Sequence, residues 1–244
     1  MNNAKNVPIV ILHGWGSGMS GKKYHVLKKI LEKDGYTVYA PDLPGFGDNE
    51  LEKSALSFED YLQFVHDFIV KKIKEKKVIL LGHSYGGRIA IRFSAQYPDM
   101  VKRLILTGAS GIPRALPSIK KRVVYGITKI TRPLFAIPPI SFFYKLFRKL
   151  VYYSIGEMDY YKAGSLQETF KNVYQVSVAP DLEKIIVPTL IVWAQEDTFT
   201  PLADGILMHE KIKNSKLIII PGASHKLPYE KPKEFAQAIC SYLI

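Results

Sequence analysis

The chain has 244 residues, 47% of them hydrophobic, enough for one sizeable core with room for an inserted subdomain. Its single cysteine, Cys240, excludes an intramolecular disulfide. No stretch approaches the ~18 apolar residues that a membrane span needs, and the apolar run near the N-terminus is too short for a signal peptide. A soluble, cytoplasmic protein without a transmembrane segment is expected, and the net charge of +12 raises the question of an anionic partner.

In chain order, Val7–Leu12 reads as a buried strand, followed by the glycine-rich loop His13-Gly14-Trp15-Gly16-Ser17-Gly18. Helical spacing covers Tyr24–Lys33, and Tyr36–Ala40 is a second strand. Pro41–Asn49 is punctuated loop. Ser57-Phe58-Glu59-Asp60 has the form of a capping box and opens a helix to about Lys74. Val78–Leu81 and Val101–Thr107 are strands with a helix between them. Strand and helix then stop alternating at Gly111 and resume near Val187. Thr189–Trp193 and Lys216–Ile220 are strands; Leu202–Ile212 and Lys231–Leu243 are helices. The pattern predicts a mostly parallel sheet flanked by helices on both faces. Residues 1–110 and 181–244 form the core, and 111–180 an inserted helical lid.

The insertion is basic. Residues 111–165 hold ten Lys or Arg and two acids, Glu157 and Asp159, which is +8 of the total +12. Phe143, Leu146, Phe147, Leu150 and Val151 share one helical face there, opposite Lys145, Arg148 and Lys149. This is either a helix covering the core with a solvated basic face, or a lid whose basic exterior meets something acidic.

Gly82-His83-Ser84-Tyr85-Gly86 follows a buried strand and opens a helix, the context that a G-x-S-x-G elbow requires. The glycines allow the tight turn, and the helix start favours developing negative charge at Ser84. A serine is a weak nucleophile without a base. His25, His66 and His209 lie within predicted helices, and His13 and His83 lie too close to strand ends to swing freely. His225 follows the last strand in a loop, at the sheet edge where Ser84 emerges. Asp197 follows the strand Thr189–Trp193 at the same edge, with Glu196 as its near competitor; no acid follows the strand ending at Thr107. The order Ser84, Asp197, His225 is one of the known triad orders. The N–H groups of Trp15 and Tyr85 are the candidate oxyanion donors.

With these pieces the chain resembles the α/β-hydrolase superfamily, of the single-domain type with a helical lid after the sixth strand. The resemblance rests on His13-Gly14-Trp15-Gly16, Asp42-Leu43-Pro44-Gly45-Phe46-Gly47, Gly82–Gly87, Pro188–Asp197 with Pro201, and His225 with Glu230 and Pro232. Three departures stand out. Only six residues precede Val7, so the family's first two strands are expected to be missing. Ala194 stands where the family has Gly, and Asp48-Asn49 replaces the usual small residues. Relatives that open epoxides or displace halide carry Asp where Ser84 stands, which argues against both reactions.

The resemblance implies a serine hydrolase needing no metal or organic cofactor. The expected substrate is a small, largely apolar carboxylic ester or lactone, as for a carboxylesterase or lactonase. The alternatives are a carbon–carbon bond hydrolase of meta-cleavage type, with Arg114 or Arg132 holding a substrate carboxylate; an acyl-carrier-protein or acyl-thioester esterase; and a small-molecule receptor with vestigial hydrolysis. No nucleic-acid motif accompanies the basic charge, so no nucleic acid is expected as a partner.

Overall fold

The structure is a computed structural model that describes residues 4–51, 54–113, 143, 149–150, 153 and 163–243. Six strands form one wholly parallel sheet: β1 Ile9–Leu12, β2 Val38–Tyr39, β3 Val78–His83, β4 Val101–Thr107, β5 Thr189–Ala194 and β6 Ser215–Ile220, in the order β2-β1-β3-β4-β5-β6. β1, β3 and β5 are buried along their whole length, as expected of strands covered on both faces.

Alternation along each strand divides the core in two. Val10 and Leu12 face α2 Phe58–Asp67 and α3 Tyr85–Gln96, packing with Tyr61, Leu62, Val65, Ile89 and Phe93. Ile9 and Ile11 face the other way, toward Leu27 and Leu31 of α1 His25–Lys33 and toward Phe235 and Ile239 near the C-terminus.

The capping box at Ser57 is present in full. Its Oγ accepts from the Asp60 amide at 3.2 Å, and the Asp60 carboxylate accepts from the Ser57 amide at 2.8 Å. The helix it opens is less regular than expected. α2 passes into a π-helical turn, Phe68–Ile73, that ends on Lys74 in the left-handed region at φ 60°.

Beyond β4 the chain leaves the sheet as an inserted, helix-bearing region. Its described part holds a 3₁₀ turn Gly164–Leu166, α4 Gln167–Tyr174 and a 3₁₀ helix Ala179–Lys184. The chain then supplies β5, α5 Leu202–Lys211, β6, a short α6 Leu227–Glu230 and α7 Pro232–Leu243. The amphipathic face expected around Phe143 lies mostly outside the described residues, as do Arg114, Arg132, Lys145 and Arg148. Its two described apolar members, Phe143 and Leu150, are exposed at 57% and 59% rather than turned onto the core.

Strand order reverses direction between β1 and β3. The loops leaving those two strands therefore diverge and open a crevice at the carboxyl edge of the sheet. Gly14-Trp15 and Ser84 lie on those loops.

Candidate active site

Ser84 sits between β3 and α3 with φ 55° and ψ −115°, a conformation that side-chain-bearing residues rarely adopt. The turn has no space to spare. A Cβ on Gly82 would lie 2.6 Å from the Gly86 carbonyl oxygen, and one on Gly86 would lie 2.1 Å from that of Leu12. The strain lifts the Ser84 side chain off the end of β3 and onto the first turn of α3.

His225 Nε2 lies 3.0 Å from Ser84 Oγ, and its Nδ1 lies 2.8 Å from Asp197 Oδ2. Both contacts have hydrogen-bonding length, so the three side chains form a continuous line from hydroxyl to carboxylate. Asp197 is held from every side. The amides of Phe199 and Thr200 donate to Oδ1 at 2.9 and 2.8 Å, and Thr200 Oγ1 donates to Oδ2 at 2.8 Å. Burial pushes the Asp197 carboxyl pKa up. Its bonds to His225 and Thr200 outweigh that, and the net shift is below the ordinary carboxylate value. Glu196, the sequence competitor, points elsewhere: its Oε2 accepts from the Ala223 amide at 3.1 Å and so supports the loop that carries His225.

The two histidines set aside at strand ends are buried in the framework of this line. His13 Nε2 accepts from the Leu43 amide at 3.0 Å, which leaves Nδ1–H to donate to the Gly14 carbonyl at 2.7 Å. Because the Gly14–Trp15 peptide is planar and trans, fixing that carbonyl also fixes the Trp15 N–H in the opposite direction. The same loop passes close to the serine: a Cβ on Gly14 would come within 3.0 Å of Ser84 Cβ. Among the described residues no backbone hydrogen bond of the adjoining turns uses the Trp15 or Tyr85 amide.

His83 donates from Nε2 to the His225 carbonyl at 2.8 Å, and its Nδ1 accepts from Tyr24 Oη at 2.6 Å. Complete burial, with His225 close by, lowers the His83 pKa to about 3, so the ring is neutral and each nitrogen keeps its assigned role. Thr200, His13 and the Tyr24–His83 pair were not singled out as site residues in the sequence. Thr200 had a local signal, a hydroxyl three residues after an acid in a loop leaving a strand. The bonds of His13 with Leu43 and of Tyr24 with His83 span 30 residues or more and had none.

The recess beside Ser84 is narrow, about 40 Å³, and largely apolar. Trp15, Phe170, Val173 and Phe199 wall it together with Tyr85, Arg88, Ser110 and Tyr174. Trp15 anchors one side through edge-on contacts with Phe46, Tyr85 and Phe170 at 5.0–5.3 Å. On its other flank a wider cleft of about 410 Å³ opens between Gly16–Ser20, Gly45–Gly47 and Ala163–Leu166. Among the described residues no three His, Cys, Asp or Glu side chains are grouped to hold a metal ion. None of the described helices is long and apolar enough to cross a membrane.

A parallel sheet with a serine at the β3–α3 elbow, lined up with a histidine and an aspartate from later loops, defines an enzyme of the serine-hydrolase type. The chain belongs to the alpha/beta hydrolase fold family, whose pattern matches residues 7–232. It is 28% identical over 254 residues to a Mycoplasma pneumoniae protein named "Putative esterase/lipase 2", covering 96% of this chain and 88% of that one. It is 26% identical over 251 residues to an Escherichia coli 2-hydroxy-6-oxononadienedioate/2-hydroxy-6-oxononatrienedioate hydrolase, covering 96% and 86%. The meta-cleavage product hydrolase of Pseudomonas fluorescens superposes with a TM-score of 0.71 at 22% identity, over 97% of this chain and 90% of that one.

Proposed function

We propose that the chain hydrolyses a small organic carbonyl compound through a covalent acyl-enzyme, and that its substrate is a vinylogous diketo acid cut at a carbon–carbon bond. The observation that carries the reaction class is the unbroken line Ser84 Oγ–His225–Asp197, at 3.0 and 2.8 Å. Ser84 Oγ adds to the reacting carbonyl carbon as His225 Nε2 takes its proton. The Trp15 and Tyr85 amides bind the resulting oxyanion, and Asp197 orients the imidazole and stabilises its charged form. The bond to the leaving fragment then breaks, and that fragment takes the proton from His225. Water, deprotonated in turn by His225, releases the acid and restores Ser84. Carbon is a poor leaving group unless its electron pair is delocalised, which a conjugated ketone provides.

The choice of a carbon–carbon bond over a simple ester or lactone departs from the expectation drawn from sequence. What supports it is the 26% identity to the Escherichia coli hydrolase of a diene dioate along almost the whole chain. Ester hydrolysis is the second reading, favoured by the Mycoplasma pneumoniae relative. In either reading the insertion serves as a cap, of which Phe170, Val173 and Tyr174 line the recess, and the basic composition of residues 111–165 supports an anionic ligand.

Ser84→Ala is expected to abolish both turnover and labelling by a fluorophosphonate while leaving circular dichroism unchanged. Persistent labelling at another serine would remove Ser84 from the mechanism. A panel of dienoic diketo acids, nitrophenyl esters and lactones separates the two readings, with the diketo acids expected to give the highest kcat/KM.

A further inference from the structure

Four residues beyond Ser84 on α3, the buried Arg88 lines the same recess. It is 5% exposed, and among the described residues no carboxylate lies within salt-bridge distance of it. Part of its role is structural. Nη1 donates to the carbonyls of Val173 and Tyr174, at 2.7 and 3.0 Å, where α4 ends, and the guanidinium lies over the Tyr174 ring at 5.6 Å. That accounts for one nitrogen of the fork. Nε is buried without a hydrogen-bond partner, and among the described residues Nη2 meets no acceptor. Tyr85 Oη, also buried and unpartnered, is close enough to act electrostatically on the guanidinium. Backbone gives way at this place: Gly111, at φ +103°, leaves space where a Cβ would meet Nε at 2.9 Å.

A buried charge without a counter-charge is costly, and a helix end can be capped without one. The donors left over are Nε–H, the Nη2 protons and the Tyr85 hydroxyl. Nε–H and Nη2–H are the side-on fork with which a guanidinium binds a carboxylate in two places, one helical turn from the nucleophile and within electrostatic reach of Tyr85. We infer that Arg88 and Tyr85 Oη bind a carboxylate on the substrate, so that the site selects carbonyl compounds carrying a negative charge a few bonds from the reacting carbon. The inference rests on Ser84 being the nucleophile, and it holds for carbon–carbon and ester cleavage alike.

Two pairs of esters that differ by a carboxylate test it. 4-Nitrophenyl hydrogen adipate against 4-nitrophenyl hexanoate places the charge on the acyl side; 4-acetoxybenzoate against phenyl acetate places it on the leaving side. In at least one pair the wild type is expected to favour the anion tenfold or more in kcat/KM. Arg88→Gln is expected to lower that ratio at least tenfold and Arg88→Lys less. A ratio removes any loss of activity common to both members, so disturbing the α4 cap does not imitate the effect. Wild-type ratios of one or below in both pairs would overturn the inference without any variant. So would a ratio that survives in Arg88→Gln. Calorimetric binding of adipate to Ser84→Ala protein, with and without Arg88→Gln, reads the anchor independently of turnover. A tenfold loss of affinity supports it, and equal affinity overturns it. Absence of turnover and of fluorophosphonate labelling would instead count against Ser84 as nucleophile.

Discussion

Two acids stand side by side after β5, and only their hydrogen bonds tell them apart. Asp197 faces His225, whereas Glu196 holds the Ala223 amide. Asp197→Asn is expected to lower kcat by roughly 10⁴, the cost of the same exchange in an established triad. Glu196→Gln keeps an acceptor for Ala223 and is expected to stay within a few-fold of wild type in steady-state kinetics. Ser84, Asp197 and His225 were legible in the sequence because each follows a strand end within a few residues, so local pattern fixes its place. Arg88 was not, because a cation inside an apolar helix reads as one more polar position until the fold shows what surrounds it. Its signal was the i, i+4 spacing from the serine, which puts both on one helix face. His13 and His83 were read correctly as fixed, but what they fix lies in distant segments.

At the scale of elements, periodicity located every strand of the sheet to within two residues at each end, because buried parallel strands are short apolar runs with sharp limits. For the helix after Ser57 it found the extent, to about Lys74, but not the change of winding. A hydrophobic stripe continues through Phe68, Ile69 and Ile73 whether the backbone is α or π, so the side chains gave no sign of the wider turn. The turn ends at Lys74, whose left-handed backbone suits glycine. Lys74→Gly is therefore expected to raise stability by about 0.5–1 kcal/mol in urea denaturation, with no change in kcat/KM. The elbow behaves in the opposite way. Ser84→Gly is expected to raise stability by about 1 kcal/mol by releasing strain, and to abolish turnover.

For the molecule as a whole, burial of neutral imidazoles makes acid the condition to watch. The His83 pKa falls from an ordinary 6.5 to about 3, and burial also lowers that of His13. The unfolded chain takes up the His83 proton near pH 6.5 while the native chain does not, so stability falls as pH drops from about 6.5 to about 3, and His13 acts in the same direction. The slope from His83 alone is about 1.4 kcal/mol per pH unit. Asp197 adds a further loss only at lower pH, as its depressed carboxyl is protonated. Urea denaturation is expected to give a lower unfolding free energy at pH 5 than at pH 7 by about 2 kcal/mol, and His83→Gln is expected to shrink that difference.

The separation of 141 positions from Ser84 to His225 also sets a timetable. During synthesis the elbow, its helix and the oxyanion loop leave the ribosome long before β5 and β6 exist. Throughout that interval the serine has neither base nor acid, and it is an ordinary hydroxyl. Reactivity arrives only when the last strand pairs and the loop after it swings His225 over the sheet edge. A nascent chain is thereby silent toward the small organic molecules of its surroundings, and hydrolysis begins with the completed fold.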